Sequence, residues 1–222
     1  MKELLSKTIF IGLLSLALTG CKNENNKART EEARDIREAN IETKEFKVNT
    51  DESVIHWKGK KPTATHRGTI KLAEGSFKAN DSTIESGSFV IDMKSIEVAD
   101  LEGKDRSDLE AHLKGTVEGK EGDFFNTEKY PEANFKITDI KEENGQTMLS
   151  GNLTIKEETK NITFPVMINR SGDQVEISSD EFSIDRTQWK VNFGSKSVFD
   201  GLGDNFVYDD INLIVKLVAE KS

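Results

Sequence analysis

The chain of 222 residues has a single cysteine, Cys21, and only three prolines. One thiol excludes an internal disulfide, a Cys₄ or Cys₂His₂ zinc site and a CxxC redox pair. So little proline excludes polyproline and collagen-like architectures. Tyrosine and tryptophan are scarce, two each against 12 Phe. Most of the aromatic surface therefore lacks a polar tip that burial would have to satisfy. Basic residues are in deficit, 31 Lys+Arg to 40 Asp+Glu, for a formal net charge of −9. That balance argues against nucleic acid, whose phosphates need a clustered basic surface. Long apolar runs are missing too. The run from Ile9 to Leu18 is about half of the roughly 20 residues that a spanning helix needs. With 35 % hydrophobic residues the chain can still build a core.

The short apolar run follows Lys2 and Lys7 and ends in Leu18-Thr19-Gly20-Cys21. Its length suits the hydrophobic region of a signal peptide. The closing quartet resembles the lipobox of bacterial lipoproteins. That resemblance implies cleavage before Cys21 and acylation of its thiol and new amino group, and several acyl chains anchor stably where one does not. The expected organisation is a lipoprotein signal peptide over 1–20, a lipidated Cys21 and polar tether over 21–44, and one domain over 45–222. Between Lys22 and Lys44 the apolar residues are too few to bury a face, and a flexible chain of this length spans about 25 Å. The implied location is the bacterial cell envelope, with the domain lipid-anchored to a membrane, in the periplasm or on the surface.

Beyond residue 45, apolar and polar residues alternate with period two, as in Ile162, Phe164, Val166 and Ile168, or Ile211, Leu213, Val215 and Leu217. Eight strands are predicted, over 46–58, 65–73, 83–97, 132–142, 146–156, 160–170, 174–185 and 206–219. Turn chemistry separates them at Glu74-Gly75, Asn80-Asp81, Asn144-Gly145, Lys156 to Glu158 and Ser171 to Asp173. One stretch departs from the rule: Asp105 to Leu113 places Leu109 and Leu113 four residues apart and reads as a short helix. The fold class is all-β. Eight mostly antiparallel strands either stack as a sandwich or close into a barrel, and closure removes exposed edges. An eight-stranded barrel has room inside for side chains or one small ligand. An interior of Phe, Ile, Leu and Val favours an apolar guest.

The order of motifs resembles the YceI-like family. The segments that carry the resemblance are Trp57-Lys58-Gly59, Thr65-His66-Arg67-Gly68, Gly75-Ser76-Phe77, Phe89 to Ile96, the His112-Leu113-Lys114 end of the helix, Asp123-Phe124-Phe125 through Tyr130-Pro131 to Phe135, Gly151 to Lys156, and Phe182-Ser183-Ile184-Asp185-Arg186-Thr187-Gln188-Trp189. They run from about 46 to 219. The resemblance implies an antiparallel eight-stranded lipocalin-like β-barrel with one short α-helix, binding a polyisoprenoid or a similar lipid. It also implies a possible homodimer. Three departures concern local loops: Gly115 to Gly122 lengthen the link after the helix, Lys190 follows Trp189 where the family often has glycine, and Glu157-Glu158 follow the Lys156 strand.

On this reading the barrel lining or mouth draws on Trp57, Phe89, Ile91, Phe124, Phe125, Phe135, Leu153, Phe164, Phe182, Ile184, Arg186 and Trp189. Phe124, Phe125 and Tyr130 either line the mouth or plug the barrel end. Asp185, Arg186 and Trp189 read in two ways: a site for a headgroup phosphate, since the Arg fork binds two oxygens, or a cluster that closes the fold. The second is the simpler. Asp92 reads as structural as well. His56, His66 and His112 form no HxH or HExxH pattern. His112 is expected to hydrogen-bond nearby backbone and His66 to sit at a strand end. No GxSxG motif, phosphate-binding glycine loop or second thiol supports catalysis. The expected activity is therefore binding: a membrane-anchored protein, not an enzyme, that holds an apolar chain (polyisoprenoid, quinone tail or fatty-acid-like) for transport, storage or sequestration, with no cofactor or metal. The alternatives are an envelope enzyme with a His/carboxylate metal site, and a ligand-free interaction or stress protein with a solid barrel.

Overall fold

The computed structural model describes residues 26–39 and 42–222. The expected signal peptide and the expected lipidation site, Cys21, lie outside the described residues. In chain order the elements are β1 (Arg29–Glu32), β2 (Lys44–Val48), β3 (Val54–Lys61), β4 (Ala64–Ala79), β5 (Ile84–Val98), α1 (Gly103–Lys114), β6 (Glu132–Glu143), β7 (Gln146–Ile155), β8 (Glu158–Ser171), β9 (Gln174–Ser178), β10 (Phe182–Asp185), a 3₁₀ turn (Arg186–Trp189) and β11 (Asp210–Lys221). Strands β3 to β9 pair antiparallel, each with the next. Strand β11 then pairs with both β9 and β3, so the hydrogen-bonded circuit is closed. The result is an eight-stranded antiparallel barrel with one short helix: of the two arrangements the alternation left open, the chain adopts the one that the family resemblance implies.

Two of the expected strands are broken in two. Residues 46–58 become β2 and β3, which share one slot between β4 and β11. Asn49 starts the break, its Oδ1 accepting from the Asp51 N–H at 3.2 Å. Ser53 Oγ then accepts from the Val218 N–H at 2.9 Å, so the side chain replaces a missing ladder bond. Residues 174–185 become β9 and β10, and Ser179 does the same there: its Oγ accepts from the Val215 N–H at 2.9 Å. A third difference concerns Glu74-Gly75. This is no turn: both residues pair with β5 inside the 16-residue β4, directly after a bulge at Ala73. Gly75 is needed for close approach, since a Cβ there would stand 2.8 Å from Phe89 and 2.9 Å from Val48.

After β9 the chain leaves β8, and the gap between β8 and β10 is filled from an unexpected source. Residues 22–44, expected to be a solvated spacer, supply β1, which pairs with β8 from Arg29↔Thr163 to Glu32↔Lys160. The Ala28 N–H donates to Ser183 O at 2.8 Å, and the Ser183 N–H to Asn26 O at 2.9 Å. Ala28 is buried in the barrel core. Onward, the chain crosses the outside of the barrel, where Asn152 exchanges hydrogen bonds of 3.0 and 2.7 Å with the Arg34 backbone. The polarity of this segment reflects its outer position. Its backbone is ordered by ladder bonds, which do not show in a hydrophobicity pattern.

Candidate functional site

The barrel interior differs between its two ends. One end is solid. Phe46 and Phe77 stack at 5.2 Å, and Phe89, Phe135, Phe164 and Phe182 form a continuous row at 6.3, 6.1 and 4.2 Å. Phe135 lies flat against β7 because Gly151 stands beneath it; a Cβ at Gly151 would come within 2.2 Å of the ring. The other end, under α1, is hollow. A cavity of about 380 Å³ is walled by Ile55, Trp57, Ile70, Ile91 and Met93 on one side and by Leu153, Ile155, Ile184, Ile211 and Leu213 on the other. This lies within the range of about 300–1,000 Å³ usual for ligand pockets. It is about 2.5 times the roughly 150 Å³ apolar cavity that accommodates a benzene ring.

Three segments roof the cavity. Helix α1 buries no residue fully, yet its Leu109 and Leu113 line the hollow, so its apolar side faces empty space rather than core. Glu110 pins the helix to the barrel: its Oε1 accepts from the Val98 N–H and from Arg106 Nε, both at 2.9 Å. The second segment carries Phe124 and Phe125, and the third is the loop from Lys190 to Asp209. His112 joins all three. Its Nε2 is 2.7 Å from Asp123 Oδ2, and its ring meets the rings of Phe124 at 5.1 Å and Phe193 at 4.9 Å. The partner of His112 is thus a carboxylate, not the nearby backbone. Lys156, whose amine burial pushes below its ordinary pKa, donates from Nζ to Phe124 O at 3.3 Å. The cavity reaches the surface at Lys60, Lys61, Phe193 and Tyr208, all exposed and all in its lining.

Of the sequence-predicted site residues, Trp57, Ile91, Phe124, Phe125, Leu153, Ile184 and Arg186 line this cavity. Phe89, Phe135, Phe164 and Phe182 instead make the packed floor. Trp189 is fully buried away from the cavity, its Nε1–H donating to Leu153 O at 2.9 Å. Tyr130 turns outward, its hydroxyl donating to Glu157 at 2.5 Å. Arg186 touches the cavity, but its donors are committed elsewhere. Nε gives to Tyr208 O at 3.2 Å, Nη2 to Val207 O at 3.0 Å and Nη1 to Val191 O, with Asp209 3.5 Å away. Burial pushes this guanidinium below its ordinary pKa, against the pull of Asp209 and Asp185. Each of its three nitrogens thus donates to a backbone carbonyl, and the side chain clasps the 190–209 loop. Asp185 caps the 3₁₀ turn, accepting from the Thr187 N–H at 3.0 Å. Asp92 accepts from the Lys94 N–H at 2.9 Å.

His66, on β4, meets Asp100 through Nδ1 at 3.0 Å. Burial alone would raise the Asp100 carboxyl, but hydrogen bonds from the Arg67 N–H and His66 outweigh it and hold the pKa below its ordinary value. His56 is exposed on the outside of β3. Among the described residues no three His, Cys, Asp or Glu side chains gather as a metal site would require. Sequence reasoning missed the contribution of the 190–209 loop, which places Phe193, Val207 and Tyr208 on the cavity. That loop has no periodicity, and its only signal is the density of aromatics in a Gly- and Asp-rich stretch.

Comparison with known proteins places this architecture. A family model described as the YceI-like domain matches residues 46–219. A UPF0312 protein of Photorhabdus laumondii is 32 % identical over 102 residues, 46 % of either chain, so the match spans about half the length of that curated relative. The crystal structure of Burkholderia cenocepacia BcnA superposes with a TM-score of 0.58 at 24 % identity, covering 77 % of this chain and 98 % of BcnA. The structure of a polyisoprenoid binding domain from Saccharophagus degradans superposes with a TM-score of 0.56 at 13 % identity, covering 80 % of this chain and 98 % of that one. At these identities the two structures speak for the fold.

Proposed function

The chain belongs to the YceI-like family, and from that premise we propose that it is a lipid-binding protein, anchored to a bacterial membrane through an acylated Cys21, that holds a single apolar chain in the hollow half of its barrel. The observation that carries this reading is the 380 Å³ cavity. Its walls are aliphatic and aromatic, its floor is a row of phenylalanines, and its roof consists of three short segments rather than a continuous sheet. A cavity so lined gains about 0.8 kcal/mol for each methylene it takes from water, close to fourfold in affinity per carbon. The ligand class, a polyisoprenoid, quinone tail or fatty-acid-like chain, is supported by the polyisoprenoid binding named for the Saccharophagus domain. The function is to carry or sequester that chain in the cell envelope, and its chemistry is binding, not catalysis.

Two measurements test the proposal. Organic extraction of the purified barrel followed by mass spectrometry is expected to release a stoichiometric lipid, and the emptied protein is expected to take up isoprenoid probes saturably. Recovery of no lipid together with no saturable uptake would overturn the binding reading. For the anchor, a Cys21→Ser variant is expected to lose its acyl mass and leave the membrane fraction. Retention of both would refute the lipidation.

A further inference from the structure

The chain carries 40 acidic residues against 31 basic ones, yet among the described residues no Asp or Glu lines the cavity. Every side chain in the wall that can carry a charge near neutral pH is a base: Lys60, Lys61, His66, His112 and Arg186. Three acids near the rim are already engaged. Asp100 is held by His66, Asp123 by His112, and Asp209 by Arg186 and by the Ser197 hydroxyl. Lys60 and Lys61 are the exceptions. They end β3 at its hairpin with β4, both are exposed, and neither is paired with a carboxylate among the described residues. The charge of Arg186 remains on the wall although its donors are spent on backbone carbonyls.

We infer that the guest is an amphiphile with an anionic end group, a carboxylate or a phosphate, seated at the mouth against Lys60 and Lys61 with its hydrocarbon in the cavity. This deepens the lipid-binding reading and rests on it. An acidic protein repels anions on average. A mouth whose charged lining is basic, with two lysines left unpaired, reverses that locally, where low-dielectric walls focus the field. The two ammonium groups supply charge without fixed geometry, so they accept either head. Because they are exposed, their effect is modest and sensitive to salt.

The test uses three ligands with one tail and three heads: dodecanol, dodecanoate and dodecyl phosphate. Each competes with the neutral fluorescent probe N-phenyl-1-naphthylamine for the delipidated protein. At low salt, at least one of the two anions is expected to bind about three- to tenfold more tightly than dodecanol, and the tighter one names the head. In the Lys60→Gln/Lys61→Gln protein that ratio falls toward one. In Lys60→Glu/Lys61→Glu it inverts. Dodecanol binding as tightly as both anions, or an anion preference that survives both variants, would overturn the inference and leave the hydrocarbon site standing. If neither the probe nor any of the three ligands binds, the lipid-binding reading fails and takes this inference with it.

Discussion

Replacing Gly151 with alanine tests how solid the barrel floor is. An added Cβ would stand 2.2 Å from Phe135 Cζ, 2.6 Å from Cε2 and 2.7 Å from Cε1. Ordinary carbon contacts lie near 3.5–4.0 Å, so the ring must retreat by more than about 1 Å. It has little room, with Phe89 centred 6.3 Å away and Phe164 6.1 Å away. Overpacking of this kind costs about 1–3 kcal/mol. For a domain of this size that lowers Tm by about 2–12 °C. The assay is thermal and urea unfolding of Gly151→Ala, Phe135→Leu and the double variant. Alanine is expected to be clearly less harmful once Phe135 is leucine, with a coupling energy above about 0.5 kcal/mol. A Gly151→Ala protein that melts within about 1 °C of the parent, or a cycle without coupling, would refute the packed floor and with it the division of the interior into solid and hollow halves.

Three further outcomes follow from the same geometry. Arg186→Lys leaves the Val191, Val207 and Tyr208 carbonyls short of donors inside the loop and is expected to cost about 3 kcal/mol in urea unfolding; unchanged stability with lost ligand affinity would restore the headgroup reading. Truncation to residue 26 is expected to leave stability intact, whereas truncation to residue 33 removes β1, opens the seam between β8 and β10 and costs more than about 2 kcal/mol; equal stability of the two would show that β1 does not hold the wall. Asp100 has a folded pKa below its ordinary 3.8, so its contribution is present above that value and is lost as pH falls through the folded one. Asp100→Asn is expected to flatten the acid limb of a stability–pH profile, and an unaltered limb would contradict the His66 and Arg67 contacts.

Much of the wall was legible because local and global preferences agree there. The β6–β7 hairpin turns at Asn144-Gly145, as expected, where both residues have positive φ, and the two strands it joins pair across it with one bulge at Thr138. Glycine misleads where its two uses look alike: Gly75 marked a turn in the sequence but serves close approach to Phe89 and Val48. Strand β1 was illegible, because Arg29-Thr30-Glu31-Glu32 has no apolar alternation and enters the wall through backbone bonds and surface ion pairs, Arg29 with Glu143 and Glu32 with Lys160. The site was half legible for a related reason. Period two tells which side chains point inward but not at what depth. Phe89 and Ile91 share a face two residues apart, yet one is floor and the other cavity wall. The roof depends on contacts such as His112 with Phe193, between segments far apart in the chain and without a period.

The central claim, that hydrocarbon occupies the hollow half of the barrel, is tested most directly by a crystal structure of the delipidated protein soaked with dodecanoate brominated at its tail end. The account requires anomalous bromine density inside the barrel, between Trp57 and Leu153 and above the Phe135 ring. Bromine found only on the outer surface, with the space under α1 filled by side chains or ordered water, would contradict it.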